Sequence, residues 1–239
     1  MTEEVGSTTV LLVGALLIRL AAGGAYARYV RVGMGPWLLV AGILLAALGA
    51  AGVIRALVRP RAAARGDDHE HSDHEHSDHE HRDRAGWLLF APVVALLMVT
   101  PPALGSFGVD RSTVVSVGSG GRTFAALPAG TTVPMTLLEF NQRAADHHGA
   151  SFGTTPVRLT GFVARTADGD GFRLARYQIQ CCAADAVAAV VRVVGATGAP
   201  PARDGWLTVT GTFEPSADPV PRIRASSLAA VPAPEDPYE

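Results

Sequence analysis

The chain has 239 residues, a formal net charge of −2 and 48 % hydrophobic side chains, enough for one ordinary domain and something more. All 20 basic residues are arginine and they form no basic stripe, which argues against nucleic acid as a partner. No Walker, dinucleotide-binding, nucleophile-elbow or zincin motif occurs, so nothing points to an enzyme.

Taken in chain order, the first 58 residues read as an N-terminal transmembrane region with spans over about 8–27 and 36–58. The first contains Arg19, which either snorkels from a tilted helix or faces a protein partner or polar cavity. Ala25-Tyr26-Ala27 resembles a signal-peptidase site, but Glu3 and Glu4 and the interrupting Arg19 are wrong for a cleaved leader. Pro36–Val58 is the clearer span: Pro36 suits a first helical position, Trp37 an interface, and the stretch reaches about 35 Å as a helix. A third apolar run, 86–105, has Trp87 at one edge and Pro101-Pro102 near the other. Arginines concentrate in the loop between the second and third spans (Arg59, Arg61, Arg65, Arg82 and Arg84), against Arg28 and Arg31 in the first loop. The positive-inside rule then places the second loop in the cytoplasm and everything after Gly105 outside.

That second loop, 59–85, contains "DHEHSDHEHSDHEH" over 68–81, with six of the eight histidines and no apolar side chain. With nothing to bury, it is expected to be disordered. His69/His71, His74/His76 and His79/His81 are spaced i, i+2, so each pair points the same way on an extended chain and can offer two imidazoles to one ion. Asp and Glu complete the shell, and zinc is the first candidate. The alternative is a solvated acidic linker.

A connecting region, 106–154, carries a helical pattern over about 135–148, ending in His147-His148, a pair read as capping a helix C-terminus or, alternatively, binding metal. From 155 to 239 the texture is all-β. "PVRLTGFVART", "FRLARYQIQ", "AVAAVVRVVG", "DGWLTVTGTFEP" and "PRIRASSLAAVPAP" supply five strands, the first two joined by the turn "ADGDG". The fold class expected is thus membrane-anchored α plus all-β: transmembrane helices followed by a soluble OB-like five-stranded β-barrel domain with one preceding helix.

The only cysteines, Cys181 and Cys182, are adjacent and follow the second strand. An extended chain would point them to opposite sides. If the strand instead ends and the Ala- and Asp-rich "CCAADA" curls, Asp185 comes within one turn of both and a soft-metal or thiolate site can form. The plainer alternative is one buried cysteine acting as a small hydrophobe beside an incidental partner.

The hydrophobic N-terminal segments with a His-rich linker, "GFVART…FRLARYQIQCCAADA" (161–186), "WLTVTGTF" (206–213) and the "PEDPYE" ending resemble the YcgQ-type bacterial membrane proteins. The resemblance carries over Cys181, Cys182 and Asp185 and implies a partner, a multi-span permease of the YcgR type, together with zinc-linked gene neighbourhoods. It implies no catalytic residues. The expectation is a non-enzymatic accessory subunit of a bacterial cell-membrane permease in divalent transition-metal homeostasis, zinc first among the ions. Two alternatives stand beside it: a membrane-anchored thiol redox or metal-exchange protein using Cys181 and Cys182, and an envelope interaction module with no metal role.

Overall fold

The structure, a computed structural model, describes residues 2–58, 94, 95, 98, 102–109, 123–168, 170–197 and 201–239. They fall into two compact units, Met1–Tyr26 with Val32–Pro101, and Ala27–Arg31 with Pro102–Glu239.

In the first unit, α1 spans Thr2–Ala22 and α2 spans Gly35–Val58. α1 stops where Gly23 and Gly24 begin, Gly24 taking a φ of 70° that most side chains resist. The helix in the span expected over 8–27 therefore ends at Ala22. α1 is 21 residues, about 31 Å as a helix, with Gly6–Ala22 its apolar part. Arg19 therefore sits in the last turn of α1, exposed, where a cation complements the carbonyl end of the helix dipole. By length and composition one helix among the described residues, Val32–Val58, can cross a membrane.

The two helices pack through glycine. Gly35, Gly42 and Gly49 recur at seven-residue intervals and are buried in α2. A Cβ on Gly49 would stand 2.5 Å from the amide nitrogen of Leu11, and one on Gly42 3.0 Å from Ile18, while Gly52 faces Ser7. These pairings run in opposite directions, so α1 and α2 form an antiparallel hairpin whose close backbone approach small residues permit. Trp37, Val40, Leu44, Leu48, Leu57 and Val58 remain exposed, an apolar surface suited to lipid. The loop 59–85 lies outside the described residues, as does the third span expected over 86–105 apart from positions 94, 95, 98 and 102–105.

The second unit is the β-domain. Its strands are β1 (Val133–Pro134), β2 (Val157–Asp168), β3 (Gly171–Gln178), β4 (Val187–Val194), β5 (Trp206–Glu214) and β6 (Arg222–Ala230). They lie in the order β1-β2-β3-β4-β6-β5, and β2 pairs with β5 as well, so the five long strands close on themselves. β4 and β6 are parallel while the other barrel pairs are antiparallel. That is the Greek-key closure of an OB-like barrel. Alternation fills it: Leu159, Leu174, Val191, Val193, Val209 and Ile223 are fully buried and meet in one core. At Gly161 a Cβ would stand 2.6 Å from the carbonyl oxygen of Ala175, so β2 and β3 approach closely only because no side chain intervenes.

The preceding helix is shorter than the expected 135–148. α3 covers Leu137–Ala145, with Thr136 as N-cap accepting the Glu139 amide at 3.0 Å. Its Leu137 and Phe140 are fully buried and plug the barrel core, where Phe152 and Phe213 stack with centroids 4.6 Å apart. A second cluster, on the outer face of the sheet, gathers Phe162, Tyr177, Ile179, Val220 and Tyr238, with Trp206 packed against it. Arg176 lies over the Trp206 ring and donates to the carbonyls of Asp236 and Tyr238 at 2.9 and 3.1 Å, strapping the last residues down.

Candidate metal centre

β3 ends at Gln178, and after the buried Ile179 the chain leaves the sheet. Cys182 is extended, with φ −154° and ψ 171°, and Ala183–Asp185 then form one tight 3-10 turn before β4 begins at Val187. The curl that the Ala/Asp composition allows is therefore present. Its organiser is Asp185. One carboxylate oxygen accepts the Gln180 amide at 2.9 Å, and the other accepts the amides of Cys181 at 2.9 Å and Cys182 at 3.4 Å. Cys182 reciprocates by accepting the Asp185 amide at its sulfur, a capping box built on a thiol.

This folding brings the three side chains together. The Cys181 thiol lies 3.7 Å from the Cys182 sulfur, and the two sulfurs and a carboxylate oxygen of Asp185 all fall within 4.8 Å of one another. Cys181 is exposed, Cys182 half-buried, and neither is in a disulfide. Among the described residues this is the one group of three or more metal-binding side chains.

The electrostatics follow from the shared proton. The hydrogen bond from the Cys181 thiol, with the backbone amides behind it, holds the Asp185 carboxyl down at about 2. The same bond to Asp185, followed by the contact with Cys182, pushes the Cys181 thiol up to about 11. Without an ion, Cys181 is a protonated thiol resting on a carboxylate, a poor nucleophile. A bound cation inverts this, because it replaces the proton and stabilises thiolate directly. The spacing suits one: zinc–sulfur bonds of ~2.3 Å in a tetrahedron put two sulfurs about 3.8 Å apart.

One wall of the turn comes from far away in sequence. The Ala183 amide donates to the Tyr29 carbonyl at 2.7 Å, the Arg31 amide donates to the Cys181 carbonyl at 3.2 Å, and Val30 bridges Cys182 as a short antiparallel pair. Tyr238 steadies the same segment, its hydroxyl donating to the Arg28 carbonyl and accepting the Leu104 amide at 3.3 Å. Nothing local marks Tyr29–Arg31 as partners of Cys181–Ala183. The signal is a pairing across the chain, which no periodicity reveals.

The other candidates stand apart. His69, His71, His74, His76, His79 and His81 lie outside the described residues. His147 and His148 follow α3 with φ of 45° and 55°, a left-handed turn finished by Gly149. His147 is 76 % exposed at its side chain and lies 3.6 Å from Asp146, whose carboxylate already accepts the Phe124 amide.

Residues 142–239, which contain the whole closed barrel and the cysteine turn, match the family model of the DUF1980 C-terminal domain. No curated protein and no solved structure matches the chain.

Proposed function

We propose that the chain is a non-enzymatic, membrane-tethered metal-binding subunit that serves a permease, with zinc as the first candidate ion. The observation that carries this reading is the meeting of Cys181, Cys182 and Asp185 at a separation suited to one tetrahedral ion. The anchor is α2, whose apolar length suits a bilayer. Arginine counting supports an extracytoplasmic β-domain. The arginine-rich residues that follow α2 then lie at its cytoplasmic end in a bacterial cell membrane, where the six loop histidines would gather ions. The permease is taken from the resemblance to YcgQ-type proteins, which pair with YcgR-type permeases.

Thiol redox exchange fits less well. The pair lacks the Cys-x-x-Cys spacing, and the raised Cys181 thiol opposes thiolate attack.

The test is cadmium titration of the purified full chain in detergent, reading sulfur-to-cadmium charge-transfer absorption. One ion per chain is expected to develop the band. Cys181→Ser and Cys182→Ser each abolish it, and Asp185→Asn weakens binding. Cadmium producing no such band in the unaltered chain would leave the domain as an interaction module.

A further inference from the structure

The three donors do not complete a coordination shell, and the surrounding hydrogen bonds show why. Asp185 already commits its carboxylate to three backbone amides, two on one oxygen and one on the other. Bidentate coordination would strip those amides and unmake the turn, so Asp185 offers an ion one lone pair. The nearby carbonyls are engaged too. That of Cys181 accepts from Arg31, that of Tyr29 from Ala183, and that of Cys182 from Asp185. Among the described residues no fourth histidine, cysteine or carboxylate joins the group. Structural zinc sites are closed by four protein ligands, whereas sites that exchange ligands keep one position open.

Resting on the reading of this turn as an ion seat, the geometry points to a hand-over seat. Its fourth ligand is a thiolate or imidazole of another molecule, and its ion leaves through that ligand. The incoming nitrogen or sulfur forms its bond to the ion at the open position, beside the exposed Cys181. The bond to Asp185 then breaks first, because a hard oxygen is the weakest of the three donors for a borderline-soft ion. Its carboxylate relaxes onto amides already in place, so release needs no rebuilding of the turn. No electrons move. As the ion departs, the two thiolates take up protons from water, and Cys181 returns its hydrogen bond to Asp185. A partner with a cysteine or histidine at its contact surface is thus the class of acceptor or donor this seat fits.

Cobalt(II) separates this proposal from the reading it rests on. The full chain in micelles would carry His69→Asn, with the same change at His71, His74, His76, His79 and His81, so that the loop takes up no ion. Cobalt alone is expected to give sulfur charge-transfer absorption with a weak ligand-field spectrum. Added imidazole should then intensify the ligand-field bands saturably, at one imidazole per cobalt, and speed loss of the ion to an external chelator by at least about tenfold, while the sulfur band persists until the ion leaves. A sulfur band with a ligand-field spectrum indifferent to imidazole would show a closed shell and overturn the hand-over seat while sparing the ion seat. Absence of any sulfur band would overturn both.

Discussion

The backbone amide of Ala183 donates to the carbonyl of Tyr29 across 2.7 Å, so the cysteine turn is braced by the segment that leads into α2. The return bond runs from the Arg31 amide to the Cys181 carbonyl at 3.2 Å, and Val32 follows directly as the first residue of the membrane-length helix.

Arg31→Pro tests this brace. Proline removes the amide that holds Cys181 and keeps Val30 in the extended conformation it already needs. One hydrogen bond is worth about 0.5–1.5 kcal/mol, so cadmium affinity should fall roughly two- to tenfold in calorimetry. An affinity equal to that of the parent would show that the turn holds itself.

The thiol–carboxylate pair has a pH signature. Asp185 is depressed from 3.8 to about 2, chiefly by the Cys181 thiol, so its contribution to stability is present above pH 3.8 and lost as pH falls through about 2. Cys181 is raised from 9.0 to about 11, chiefly by Asp185, so its contribution is present below pH 9 and lost as pH rises through about 11. Asp185→Asn removes the charge that holds the thiol proton. At pH 8 the thiolate fraction should rise, and the lower nucleophilicity of a less basic thiolate offsets part of the gain in alkylation rate. Mass-spectrometric timing of iodoacetamide addition at Cys181 reads this directly. Equal rates would mean that Asp185 does not control the thiol.

What was legible in the sequence was periodic or local. Alternation around Leu159, Leu174, Val193 and Val209 marked the barrel strands, and the Ala- and Asp-rich run after Cys182 marked the turn that gathers Asp185. Hydropathy extended the first helix to residue 27, because it weighs side chains and does not register that Gly23-Gly24 ends the backbone ladder at Ala22. β1 escaped notice because two residues, one of them proline, carry no alternation. The Tyr29–Arg31 brace escaped for the same reason that any long-range pairing does: its partners share no local pattern.

The helical hairpin makes a steric prediction. At Gly49 an added methyl would stand 2.5 Å from the Leu11 backbone, so Gly49→Ala must push α1 and α2 apart. The cost of that overpacking should be about 1–3 kcal/mol. Leu44→Ala, on the exposed face, is the control and should cost much less. Thermal unfolding of the full chain in detergent distinguishes the two. Equal midpoints for both variants would remove the glycine contact from any role in stability.

Glu239 makes the last. Its side-chain oxygens accept the amides of Leu137 at 2.9 Å and Leu138 at 3.1 Å, so the final residue satisfies donors at the N-terminus of α3 that Thr136 leaves open. A carboxylate there also complements the positive end of the helix. Glu239→Ala abandons both amides and should cost about 1–2 kcal/mol in urea unfolding at pH 7, below the usual ceiling for charged hydrogen bonds because burial opposes the charge. Burial is the larger influence and raises the carboxyl above its ordinary 4.5, with the two amides pulling the other way. The sign follows: stability tied to this proton is present below pH 4.5 and lost as pH rises through the raised value. Glu239→Gln cannot ionise, so the advantage of the parent over this variant should shrink between pH 4 and neutrality. An advantage that grows over that interval would mean the helix amides, and not burial, govern the carboxyl.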